Sequence, residues 1–124
     1  MNQRIVSAKN KHQGTFKRVL CVCTSGCLRS PTAAFVLSQE PFNYNTRAVG
    51  ISIEHAIIPI DNVLLEWAQE IVVFDWLAVI EINDMLDEQG MKRKPIINLE
   101  IPDEYDYRQP ELIQAIKHNY IHGE

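Results

Sequence analysis

The stretch that decides the fold is Arg18–Ala34, RVLCVCTSGCLRSPTAA. Its first six residues, RVLCVC, are a short apolar run rich in Val and Leu. They read as a β-strand buried on both faces. Thr24–Arg29 follows as a polar loop holding Gly26. Ser30-Pro31 then opens a helical run, TAAFVLSQE. Serine is a favoured N-cap and proline a favoured first helical residue, so the spacing predicts a strand, a tight loop and a helix in succession.

The same alternation continues outward. Pro41 ends the first helix, and Thr46–Ile51 (TRAVGI) reads as a second strand. Asp61 is a plausible cap for a short helix, Asn62–Gln69. Glu70–Phe74 (EIVVF) is a third strand, and Trp76–Gln89 is an amphipathic helix closed by Gly90. Its stripe Leu77, Ile80, Asp84 predicts half burial, and Trp67 and Trp76, flanking the third strand, are expected to cap the core. Lys92-Arg93-Lys94 reads as a solvated turn. Pro95–Leu99 (PIINL) is a fourth strand, and Pro110 opens a last helix ending at Tyr120.

Strands alternating with helices predict βαβ units. Right-handed crossovers then place helices on both faces of a parallel sheet. The expected architecture is α/β: one three-layer domain with a four-stranded parallel sheet in the order 2-1-3-4. Ligands of such sheets bind beyond the carboxyl ends of the strands, at the switch point of strand order. Cys23 ends the first strand. The loop at Asp103 opens on the same edge, after the fourth.

Composition bounds the alternatives. The chain has 124 residues, 46% hydrophobic and 23% charged, which fits one globular domain and excludes wholesale disorder. No apolar run reaches the roughly 18 residues needed to span a membrane. The N-terminus lacks the apolar core of a signal peptide, which predicts a cytoplasmic protein with no membrane partner. Net charge is −4, unevenly spread. Residues 1–16 lack any period and read as a flexible basic extension of a domain covering 17–124. Residues 19–124 carry 7 basic and 16 acidic side chains, net −9, which argues against a nucleic-acid partner. No dinucleotide fingerprint or Walker loop occurs, so no cofactor is indicated.

Cys21, Cys23 and Cys27 fall within seven residues. An odd, clustered set does not suit a secreted disulfide framework. Zinc needs about four ligands, and no second Cys/His cluster follows, so no metal is expected. His118 and His122 sit four apart on one helix face without a third ligand, and read as surface histidines.

The segment Cys23-Thr24-Ser25-Gly26-Cys27-Leu28-Arg29-Ser30 is a Cys-x5-Arg-Ser loop. A loop between a strand end and a helix start can turn successive N–H groups inward as an anion nest, and the helix dipole adds positive potential. A cysteine there is favoured as thiolate. Arg29 can hold two phosphate oxygens through its planar fork. Gly26 can supply a positive φ, and the Ser30 hydroxyl can donate to the thiolate. Together these make a cradle for a tetrahedral dianion above a sulfur nucleophile.

These residues resemble the phosphate-binding loop of the low-molecular-weight protein tyrosine phosphatases, in particular a short bacterial and phage subgroup. Ala48-Val49-Gly50 resembles the family's Ser-Ala-Gly strand end. Residues 64–75 (LLEWAQEIVVFD) and 101–112 (IPDEYDYRQPEL) also resemble family segments. The resemblance implies a flavodoxin-like phosphatase fold, with Cys23 as nucleophile, Arg29 as phosphate clamp, residues 24–30 as the phosphate-binding loop and Ser30 supporting the thiolate. It implies Asp103 as general acid. The family's Asp-Pro-Tyr is here Asp103-Glu104-Tyr105, and Glu104 and Asp106 are rival acids. In the phosphate loop the family often has Gly-Asn where this chain has Ser25-Gly26. The family's substrate-selecting loop falls at Pro41–Arg47, with Phe42 and Tyr44.

The expected activity is phosphate-monoester hydrolysis through a cysteinyl-phosphate, on a phosphorylated protein (phosphotyrosine is the family expectation) or a small phosphate ester. Tyr105 and Tyr107 line the mouth or pack on the rim. Two other readings stand beside this one. Arsenate reduction needs further thiols; Cys21 reads as core, and Cys27 is the better partner for a disulfide with Cys23. A phosphate-binding regulator would use the loop without turnover.

Overall fold

The computed structural model describes residues 7–8, 16–24, 28–51 and 59–122. Its strands are β1 (Ser7–Ala8), β2 (Arg18–Cys23), β3 (Asn45–Gly50), β4 (Glu70–Val73) and β5 (Ile96–Asn98). Its helices are α1 (Arg29–Ser38), α2 (Asn62–Trp67), α3 (Trp76–Glu88) and α4 (Pro110–His122). The sheet order is β1-β3-β2-β4-β5. The last four strands pair in parallel, giving the expected 2-1-3-4 arrangement. The addition is β1, which pairs antiparallel with β3 at Arg47 and Thr46. Backbone pairing at a sheet edge needs no side-chain period, which is why this two-residue strand left no mark in the sequence. The other residues of 1–15 lie outside the described residues.

β2 is central and its side chains alternate between two cores. Val19, Cys21 and Cys23 face a cluster closed by Leu37 of α1 and by Leu112 and Ile116 of α4. Leu20 and Val22 face the other, closed by Leu65 of α2 and Ile82 and Leu86 of α3. Helices therefore cover both faces. The chain runs from β2 to β3 on one side and then to β4 on the other. The switch point lies at the carboxyl end of β2, where Cys23 sits.

The helix ends follow local chemistry. Asp61 caps α2 by accepting from the Leu64 N–H at 2.8 Å. Asp75 caps α3 by accepting from Ala78 at 3.0 Å. Gly90, at φ +68°, turns the chain out of α3. Helix α3 is half-buried as expected, but on another stripe: Ala78, Ile82 and Leu86 are buried, whereas Leu77, Ile80 and Trp76 are exposed. The buried set has the i, i+4, i+8 spacing of one helix face, and Ala78 is too small to mark it by hydropathy. Trp76 is thus no core cap, while Trp67 packs against the α2/α3 core. Arg93 does face solvent, paired with Asp87 at 2.8 Å. Lys94 instead turns inward, its Nζ donating to the carbonyls of Leu65, Glu66 and Ala68, which closes the end of α2. No helix among the described residues is long and apolar enough to cross a membrane.

Candidate active site

The strand–loop–helix at Cys23 sets the site. Helix α1 starts at Arg29, earlier than the Ser30-Pro31 signal suggests, and Leu28 holds its cap position without a side-chain cap bond. Pro31 is then the third helical residue, where a missing N–H breaks no intrahelical bond. The Ser30 hydroxyl does not cap. Its Oγ lies 3.1 Å from Cys23 Sγ and 3.3 Å from the Val49 carbonyl. The Ser30 N–H, in the first turn of α1, also donates to Cys23 Sγ at 3.4 Å. A hydroxyl has one proton. With a thiol, the S–H donates to Ser30 and Ser30 donates to Val49. With a thiolate, the Ser30 proton turns to the sulfur. Ser25, Gly26 and Cys27, and with them the expected amide nest and a Cys23–Cys27 disulfide, lie outside the described residues.

Arg29 is only 5% exposed. Its Nη1 donates to the Ile101 carbonyl at 2.8 Å, and its guanidinium stacks 5.3 Å above the Phe74 ring. Its Nε lies 3.8 Å from Asp103 Oδ1, too far for a hydrogen bond, and has no hydrogen-bond partner among the described residues. A buried cation with an unsatisfied N–H is costly unless an anion completes it. Asp103 is itself exposed and belongs to the loop after β5. Among the three acids of that loop, Asp103 forms the ion pair with Arg29; Glu104 and Asp106 are exposed without one among the described residues.

The loop carrying Asp103 is fixed at both ends by left-handed residues other than glycine: Glu100 at φ 54° and Arg108 at φ 57°. Such backbone costs of order 1 kcal/mol or more and persists only where neighbours impose it. At one end the Glu100 N–H donates to Asn98 Oδ1, and Ile101 turns inward, its N–H on the Phe74 carbonyl. At the other, the Arg108 N–H donates to Thr32 Oγ1 at 2.9 Å. Thr32 donates in turn to the Leu28 carbonyl at 2.7 Å. The buried Thr32 hydroxyl thus ties the acid loop to the end of the Cys23 loop. The guanidinium of Arg108 lies 3.7 Å over the Phe35 ring of α1.

Two adjoining spaces open at the site. A pocket of about 220 Å³ is lined by Cys23, Thr24, Leu77 and Glu81. An open cleft of about 490 Å³ is lined by Arg29, Asp103, Trp76 and Glu100. Phe74 and Asp75 line both. Asp75 is a further carboxylate here, held by its cap to Ala78.

Other expectations settle as follows. Cys21 is fully buried and burial pushes its thiol far up, so it is core. Tyr105 packs against the α1/α4 core, and Tyr107 lies beneath Arg108 at 5.0 Å; both are rim packing. Pro41–Arg47 is not beside the site. It leads into β3 at the amino edge of the sheet, where Phe42 and Tyr44 pack on Tyr120 at 5.4 and 6.1 Å. His118 and His122 do share a face, with ring centroids 4.5 Å apart. Phe74, Trp76 and Thr32 are site residues that the sequence did not mark. They are single apolar or small polar residues whose role depends on which loops meet. No family model, curated protein or solved structure matches this chain.

Proposed function

We propose that this protein hydrolyses phosphate monoesters, phosphotyrosine in proteins being the favoured substrate, and that it acts in the cytoplasm. The observation that carries the reading is Arg29: a buried guanidinium at the start of α1, its Nε–H without a hydrogen-bond partner among the described residues, at the end of the loop that begins at Cys23. A phosphate dianion supplies the oxygens this cation lacks.

In the proposed reaction the Cys23 sulfur attacks phosphorus in line with the ester oxygen, and the P–O bond to the alcohol breaks as the P–S bond forms. Arg29 holds equatorial oxygens, where transition-state charge gathers. In the resting site Asp103 faces Arg29. An arriving phosphate takes up the arginine and releases the Asp103 carboxyl from its ion pair. Asp103 then gives its proton to the leaving oxygen. As carboxylate, it takes a proton from the water that attacks the cysteinyl-phosphate, which returns the thiolate and releases phosphate. Ser30 steadies the sulfur as nucleophile and as leaving group.

The buried Cys21 speaks against a thiol relay of the arsenate-reductase kind. The test is turnover of an aryl phosphate by the full chain. Hydrolysis abolished by Cys23→Ser supports the enzyme. Tight phosphate binding without turnover makes the protein a phosphate-binding regulator instead.

A further inference from the structure

Thr32 lies one turn past Leu28 in α1 and is completely buried. Its Oγ1 donates to the Leu28 carbonyl at 2.7 Å, a local bond that threonine makes in many helices. A hydroxyl that donates once keeps its capacity to accept. Here the acceptor is used by a distant segment: the Arg108 N–H, 76 residues on, donates to the same Oγ1 at 2.9 Å.

That bond holds the far end of the loop that carries Asp103. Residues 103–109 contain no proline to fix their backbone. The near end is tied by Ile101, whose N–H donates to the Phe74 carbonyl and whose carbonyl accepts from Arg29. Between the ends, Asp106 and Gln109 bond each other. Among the described residues, the bond to Thr32 is the one hydrogen bond between 102–109 and α1.

Arg108 is left-handed, at φ 57°, a backbone state that persists in a residue other than glycine only where neighbours impose it. Its N–H on Thr32 is one hold, and its guanidinium over the Phe35 ring is another. The Leu28 carbonyl does not depend on the hydroxyl, because the Thr32 N–H also donates to it, at 3.3 Å. Loss of the hydroxyl therefore frees the acid loop and leaves the end of the Cys23 loop bonded.

We infer that Thr32 is a positioning residue for general acid catalysis: by holding Arg108 in its left-handed turn, it sets where Asp103 stands relative to Arg29 and the leaving oxygen. The inference rests on the hydrolase reading above, with Asp103 as its acid. Thr32 touches neither substrate nor reacting atoms and acts only through the loop.

The experiment measures kcat/KM for phenyl phosphate, whose leaving oxygen needs a proton, and for para-nitrophenyl phosphate, which needs it far less. Thr32→Val keeps the shape of the buried side chain and removes the hydroxyl. It is expected to lower kcat/KM by about 10- to 100-fold for phenyl phosphate and by less than about threefold for para-nitrophenyl phosphate. The inhibition constant of inorganic phosphate should stay within about twofold of wild type, since Arg29 keeps its contacts. Thr32→Ser keeps the hydroxyl and should restore most of the activity on phenyl phosphate. On an Asp103→Asn background, Thr32→Val should cost no more than about twofold, because the acid it positions is already gone. Circular dichroism checks folding, and Thr32→Ala, a better helix former, carries the same comparison if the valine variant does not fold. A loss equal for both substrates, no loss, or full additivity with Asp103→Asn overturns the positioning assignment while leaving the hydrolase in place. Asp103→Asn without a selective loss on phenyl phosphate removes the acid, and the assignment with it. A wild-type chain inert toward both substrates overturns the hydrolase reading itself.

Discussion

Arg29 Nε and Asp103 Oδ1 stand 3.8 Å apart, the arginine buried in the first turn of α1 and the aspartate exposed on the loop after β5. The pair joins the start of α1, which follows β2, to the loop after β5, two strands away in the sheet. It also leaves the cation short of a hydrogen bond at the point where the proposed phosphate binds.

The relationship makes Asp103 the acid to test. Asp103→Asn keeps the shape of the side chain and removes its proton-transfer ability. It should lower kcat by about 10²- to 10⁴-fold for a substrate with a poor leaving group, and much less for a good one. Glu104→Gln and Asp106→Asn should change kcat by less than about threefold, since neither pairs with Arg29. Steady-state kinetics on a series of aryl phosphates distinguishes these outcomes.

Ser30 is completely buried between Cys23 Sγ and the Val49 carbonyl. Ser30→Ala removes one hydrogen bond to the sulfur in its charged form, an interaction of about 1.5–3 kcal/mol. The expected result is a loss of roughly 10- to 100-fold in kcat. Ser30→Thr restores a hydroxyl but adds a methyl in a packed site, and should recover activity only in part.

Lys94 gives a stability test away from the site. Its ammonium gathers the last carbonyls of α2. Lys94→Met keeps most of the apolar stem and removes the donors. It should cost about 1–3 kcal/mol, seen as a fall of several degrees in the thermal midpoint, with aryl phosphate turnover at low temperature retained.

Alkaline pH should destabilise the fold. Burial holds the Cys21 thiol above its ordinary value of 9.0. Burial and the hydrogen bonds with Tyr44 and Glu70 hold the Tyr120 phenol above 10.0. Burial alone would lower Lys17, but its hydrogen bond and ion pair with Glu70 win and raise it above 10.5. A group whose folded pKa lies above its unfolded one stabilises the fold fully below the unfolded value, and that contribution fades as pH rises toward the folded value. All three act in the same direction, so stability should fall from about pH 9 upward, with Cys21 first. Denaturant titrations at pH 7 to 11 check this, and Cys21→Ala should flatten the earliest part of the loss while costing some stability at neutral pH.

The frame of the molecule was legible where chemistry is local. The apolar run Arg18–Cys23, the Asp61 cap of α2, the Gly90 stop of α3, and the β/α alternation lead directly to the parallel sheet and to Cys23 at its switch point. The helix signal Ser30-Pro31 was legible as a start, one residue late; of the two uses the sequence offered for the Ser30 hydroxyl, cap and partner of Cys23, the structure has the second. Lys94 reads as a solvated charge until α2 ends beside it. Trp76 reads as core until the small Ala78 proves to be the buried position. Pro41–Arg47 follows α1 in sequence, yet a parallel crossover returns it to the opposite edge of the sheet. Arg29 was recognisable from its spacing to Cys23. Its burial, its hold on the Ile101 carbonyl and its distance to Asp103 arise from contacts more than 70 residues apart.

The central claim is that phosphate passes through a covalent bond to Cys23. The most direct measurement mixes the full chain with an aryl phosphate, quenches in acid within the first turnover, and maps the phosphoryl group by mass spectrometry. The account predicts a phosphorylated Cys23 that accumulates before steady state and is absent from Cys23→Ser, which is inactive. Turnover that persists in Cys23→Ser, with no adduct on the cysteine in the wild-type chain, would contradict it.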